Sequence, residues 1–228
     1  MTIEIKPLTI HTGAEISGVD LNQPISDSDA TDIWDAFLKW KVVFFRDQPM
    51  SHADQVTFGR RFGELTIGHA VFGHVDGYPE IYSIAKDRWD NRYKPAPKNI
   101  RPWTGFHADI TAAVNPPAVS ILRGVTIPPY GGDTLWANLV VAYDSLSEPI
   151  RNFVDGLRGL HKFQPPGEID VTEEYKAMQE RRRLTTEHPM VRVHPETGER
   201  VLYISPSFLK SIVGMEPRES ELILEMLW

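Results

Sequence analysis

Apolar and polar residues alternate at the start of the chain. Ile3, Ile5 and Leu8 are separated by polar residues, and "AEISGVDL" follows at 14–21. A two-residue period is that of a strand with one face buried. The period lengthens in "SDSDATDIWDAFLKWK", where Ile33, Trp34, Phe37 and Leu38 fall on one side of a helix. Ser and Asp crowd its start, where free backbone N–H groups need acceptors. "VVFFRD" at 42–47 is apolar enough for a buried strand. Ser51 and Asp54 then stand at capping-box spacing, predicting a second helix that ends at Gly63.

Strands are predicted at "EIYSI" (80–84), "FHADIT" (106–111), "AVSILRGV" (118–125) and "DTLWAN" (133–138). Between the first two, residues 86–103 have no periodicity and read as a long loop. "VAYDSLSEPIRNFVDGL" predicts one or two helices, and 164–187 a polar, partly helical insertion. "MVRVHPETGERVLYIS" reads as a hairpin turning at Pro195-Glu196-Thr197-Gly198. "EPRESELILEMLW" begins a last helix. Strands on both sides of a helical insertion predict a mostly β fold with flanking helices (α+β), a sandwich or jelly roll, in a single domain over 1–228.

Composition narrows the chemistry. The chain has 228 residues, 41% hydrophobic and 24% charged, an ordinary globular balance. A net charge of −7 argues against nucleic acid as the main partner. There is no cysteine, so any metal must be held by His, Asp or Glu. No apolar run has the length of a membrane span, and the N-terminus lacks signal-peptide character. A cytoplasmic protein is the expectation.

His107 and Asp109 are the candidate chemistry. Two apart on a strand, they project from one face, with Cα atoms roughly 6.5–7 Å apart. An imidazole nitrogen and a carboxylate oxygen so placed can share a divalent cation, as two members of a facial triad. The plain alternative is a strand-end histidine bonded to a neighbouring aspartate. Gly131 and Gly132 read as a tight turn using positive φ.

Together, Phe106, His107, Asp109, Thr111, Pro116-Pro117, Gly131-Gly132-Asp133-Thr134 and Trp136 resemble the Fe(II)- and 2-oxoglutarate-dependent taurine dioxygenase family. That family includes alkylsulfatase and aryloxyalkanoate dioxygenases. "GAEISGVDL", "KVVFFRDQ", "RFGEL", "AYDSL" and "EHPMVRVHPETGERVLYIS" extend the resemblance over about residues 4–226. It implies a double-stranded β-helix (jelly-roll) core. It implies Fe(II) on His107 and Asp109, and 2-oxoglutarate as cosubstrate with a carboxylate on Thr134. It also implies dioxygen and a small acidic substrate, a sulfonate or alkyl sulfate, with succinate and CO2 released. His69 would meet the acidic head of the substrate, the alternative being a surface-loop histidine. Phe208, Trp103 and Phe106 would line the pocket, the alternative being plain core. His11, His52, His161, His188 and His194 read as structural.

The family's distal histidine and cosubstrate arginine have no counterpart in these residues. The expectation is therefore an N-terminal portion of the jelly roll, with a half-built site of two ligands. A homo-oligomer is expected, with no nucleic-acid or membrane partner. The competing reading is a metal-binding or sensing jelly roll without oxygenase activity. Hydrolysis by the His/Asp pair is disfavoured, because no G-x-S-x-G elbow is present.

Overall fold

The computed structural model describes residues 2–67, 74–84, 105–163 and 184–228. They fall into two compact units. The first is drawn from segments 1–69, 73–83 and 121–141, the second from 70–72, 84–120 and 142–228.

In the first unit, β1 (Glu4–Pro7) pairs antiparallel with β2 (Ala14–Ser17), which pairs parallel with β3 (Val43–Phe44). The helix α1 (Asp27–Trp40) forms the crossover between β2 and β3. Ser26 caps it by accepting from the Asp29 N–H at 3.1 Å, and Asp27 and Asp29 lie in the positive first turn. Its inner face buries Ile33 and Ala36 beside Ile16, Leu21 and Phe58. Each large aliphatic side chain so buried contributes roughly 1.5–3 kcal/mol.

The predicted capping box is present at α2 (His52–Gly59). The Ser51 N–H donates to Asp54 Oδ2 at 2.8 Å, and the Asp54 N–H donates to Ser51 Oγ at 3.2 Å. This helix ends at Gly59, four residues before the expected glycine.

The second unit is built on a three-stranded sheet. β4 (Arg158–Lys162) lies in the middle, with β5 (Thr185–Pro189) and β8 (Leu209–Ile212) antiparallel on either side. The predicted hairpin is β6 (Val191–Val193) with β7 (Arg200–Leu202), Val193 opposite Arg200 across the expected turn. The helices α3 (Leu139–Ser145) and α4 (Glu148–Val154) precede the sheet, and α5 (Pro217–Leu227) follows it. Met190, Leu202, Leu209, Ile212, Leu224 and Val154 form the core.

Several expected strands are not formed. Residues 80–84, 106–111, 118–125 and 133–138 lie outside any strand. Among the described residues no strand pairs with them, and a strand without a neighbour lacks the ladder that would satisfy its N–H and C=O groups. Leu122, Val125, Ile127, Leu135 and Trp136 are correspondingly exposed. Conversely, β4, β5 and β8 were not expected, and Thr185–Glu187 belong to β5 rather than to the polar insertion expected over 164–187. Among the described residues five helices accompany eight short strands, so the architecture is mixed α and β rather than mostly β. No helix among them is long and apolar enough to cross a membrane.

Candidate active site

His107 and Asp109 do converge, but on a turn. Gly105 has φ +95° before them and Ile110 has φ +49° after them, so a left-handed residue stands on either side of the pair. The Ala113 N–H donates back to the Ile110 carbonyl at 2.9 Å. The strand geometry expected here is therefore corrected: local turn bonds take the place of a ladder. The segment after β7 braces the near side. Ala108 N–H donates to Ser205 Oγ at 3.3 Å, and Ser207 Oγ donates to the Phe106 carbonyl at 3.3 Å.

The donor set has a definite polarity. His107 Nδ1 lies 2.7 Å from the Gly105 carbonyl, which only accepts, so Nδ1 carries the proton. In the neutral ring Nε2 then presents a lone pair. It faces Asp109 Oδ1 at 3.4 Å, longer than an ordinary hydrogen bond. Two acceptors in this position repel unless a cation lies between them. A proton is one solution. The Asp109 carboxylate beside it raises the His107 pKa above the ordinary imidazole value, with burial opposing it and the Gly105 bond adding to it.

A divalent metal is the other solution. The gap is one that a metal bound to both an imidazole nitrogen and a carboxylate oxygen would fit, with bonds of roughly 2.0–2.2 Å to each. An imidazole whose other nitrogen donates to a backbone carbonyl is the usual orientation of a metal ligand. Asp109 Oδ2 is held by the Ser120 hydroxyl, which leaves Oδ1 to face His107. Both side chains are about half exposed, so the site is open. These residues fit a divalent cation. Among the described residues no group of three His, Asp or Glu side chains surrounds a common point, so no third protein ligand is seen among them.

Phe208 stands beside the pair, its ring centroid 6.3 Å from that of His107, and stacks on Phe163 at 6.1 Å. Thr134 lies in the first unit, exposed and outside any strand, after the expected tight turn: Gly131 and Gly132 have φ +74° and +73°. His69 and Trp103 lie outside the described residues.

The sequence profile described as "Taurine catabolism dioxygenase TauD, TfdA family" matches residues 4–228. The chain belongs to that family. It is 34% identical to an alkylsulfatase of Acinetobacter baylyi, over 99% of this chain and 69% of that protein. It is 30% identical to an alpha-ketoglutarate-dependent sulfonate dioxygenase of Saccharomyces cerevisiae, over 99% of this chain but 55% of the yeast protein. A solved structure of a taurine dioxygenase from Burkholderia xenovorans matches with TM-score 0.83 at 58% identity, covering 99% of this chain and 71% of that one. The family is one of alpha-ketoglutarate-dependent dioxygenases, whose cofactors are Fe(II) and 2-oxoglutarate (alpha-ketoglutarate).

The sequence reading missed Gly105, Ser120 and Ser205. Gly105 and Ser120 act by chain reversal and across a loop, and Ser205 comes from 97 residues away. No period in the sequence reports such contacts.

Proposed function

We propose that this chain belongs to an Fe(II)- and 2-oxoglutarate-dependent dioxygenase that oxidises a small acidic substrate, a sulfonate such as taurine or an alkyl sulfate. The observation that carries the reading is His107 Nε2 standing 3.4 Å from Asp109 Oδ1 while Nδ1 is turned to the Gly105 carbonyl. Family membership supports the same chemistry. A double-stranded β-helix is the architecture proposed around the site.

His107 and Asp109 would hold the metal, and the charge of Asp109 would offset part of its own. Fe(II) with 2-oxoglutarate supplies oxidation of a C–H bond by dioxygen, with succinate and CO2 as co-products. The Gly105 carbonyl keeps Nδ1 protonated and so keeps Nε2 available. Ser120 restrains the carboxylate. Phe208 gives the site an apolar wall, against which the non-ionic part of a substrate would lie and displace water. Thr134 is proposed to donate to a carboxylate of 2-oxoglutarate, and His69 to meet the acidic head of the substrate.

The test is succinate release from 2-oxoglutarate, aerobically with Fe(II), across sulfonates, alkyl sulfates and aryloxy acids. Release that depends on one acidic substrate is expected. Stoichiometric Fe(II) binding with no succinate from any of them would leave a metal-binding protein instead.

A further inference from the structure

Behind the site lies a polar layer that the proposed chemistry does not use. β4 and β5 pair with His161 opposite Thr186 and Gly159 opposite His188. Thr186 and His188, two apart, share a face of β5. These three side chains address three consecutive residues of the turn. His161 Nδ1 is 2.9 Å from Thr111 Oγ1. Thr186 Oγ1 donates to the Ala112 carbonyl at 2.9 Å, and His188 Nε2 donates to the Ala113 carbonyl at 2.9 Å.

The centre of this layer is enclosed, with Thr186 and Ala113 half-buried at its edge. His161 and Ala112 are 0% exposed and Thr111 is 1% exposed. The two imidazoles meet edge to face at 5.3 Å, and Tyr203 stacks on His161 at 5.5 Å. Histidines selected only to fill a core would not be aimed at successive groups of one turn.

The turn needs such anchoring. Ile110, between Asp109 and Thr111, has φ +49°, which a β-branched residue adopts only under constraint. Released, Ile110 would relax to negative φ and swing Asp109 away from His107. We propose that His161, Thr186 and His188 are positioning residues. They hold 111–113 against the sheet, keep Ile110 in its left-handed conformation, and so aim Asp109 at His107. The purpose assigned to this anchoring rests on the metal-site reading above.

The test uses Thr111→Val, Thr111→Ser and Thr186→Val. Each removes or retains one hydroxyl with little change of shape. Amide hydrogen exchange over 109–113 is measured without metal, and Mn(II) affinity is measured separately. Exchange about tenfold faster in both valine variants is expected, with exchange in β6 and β7 unchanged. Mn(II) should bind roughly 10- to 100-fold more weakly, the range for losing a group that orients a ligand. Thr111→Ser should restore both. Unchanged exchange in both valine variants overturns the proposal, as does faster exchange with undiminished Mn(II) affinity. If the unaltered chain binds no Mn(II) while the valine variants still exchange faster, the anchoring stands and the metal-site reading falls.

Discussion

At the residue scale, the 3.4 Å approach of His107 Nε2 to Asp109 Oδ1 is the decisive geometry. Asp109→Ala leaves one neutral nitrogen where there was a charged pair of ligands. Metal affinity and succinate release should fall at least about 100-fold, the upper range even for groups that merely orient ligands. Near-normal release by this variant would contradict the assignment. His161 makes a different prediction. Burial, then the neighbouring His188 and Arg192, lower its pKa from 6.5 to about 4. Between those values the unfolded chain binds a proton that the folded chain does not. Folding stability must therefore decrease as pH falls through this window, by at most about 3 kcal/mol. The raised pKa of His107 acts with opposite sign, since its contribution is lost as pH rises. His161→Phe should remove the acid-sensitive part. Denaturant unfolding of both proteins from pH 7 to pH 4 measures it, and a constant difference between them would show that His161 is not held neutral.

At the scale of elements, the sheet of β5, β4 and β8 is tight around Gly159. A Cβ built there would lie 2.5 Å from Leu209 Cδ1, far inside contact distance, although the backbone of Gly159 is ordinary. A side chain at this position therefore requires the buried Leu209 to turn its methyl aside or β8 to shift. Gly159→Ala should push β8 outward and cost roughly 1–3 kcal/mol. Chemical denaturation would show it, and a variant as stable as the parent would mean that Leu209 yields without cost. The same strand carries His161 two residues on, so overpacking at Gly159 should also loosen the anchored turn.

On the scale of the whole molecule, charge opposes the proposed ligands. The chain carries −7, and both 2-oxoglutarate and an acidic substrate are anions. Long-range repulsion slows their approach, and salt screens it, with a Debye length of about 30 Å at 0.01 M and about 8 Å at 0.15 M. The apparent KM for 2-oxoglutarate should therefore fall as ionic strength rises over that range. Initial rates at fixed substrate measure it. A KM that climbs instead would show that a local basic surface outweighs the net charge.

Local rules were legible in the sequence because they act within a few residues. The caps at Ser26 and Ser51, the helix 27–40, the hairpin across 193–200 and the turn at Gly131-Gly132 are of this kind. So was the candidate pair, since His107 and Asp109 are two apart in any conformation. The manner of their convergence was not. A strand exists only if another strand supplies its hydrogen bonds, and for 106–111 the described residues supply none. The backbone takes a turn instead, with Ile110 at positive φ. His161 and His188 read as structural because the family resemblance gives them no ligand role, and nothing near them in sequence shows what they touch. Their partners at Thr111 and Ala113 lie 50 and 75 residues away. By itself the sequence determined which groups are available and which short elements they begin. The tertiary structure alone decided which strands found partners and which buried side chains grip the turn, because both depend on distant segments arriving together.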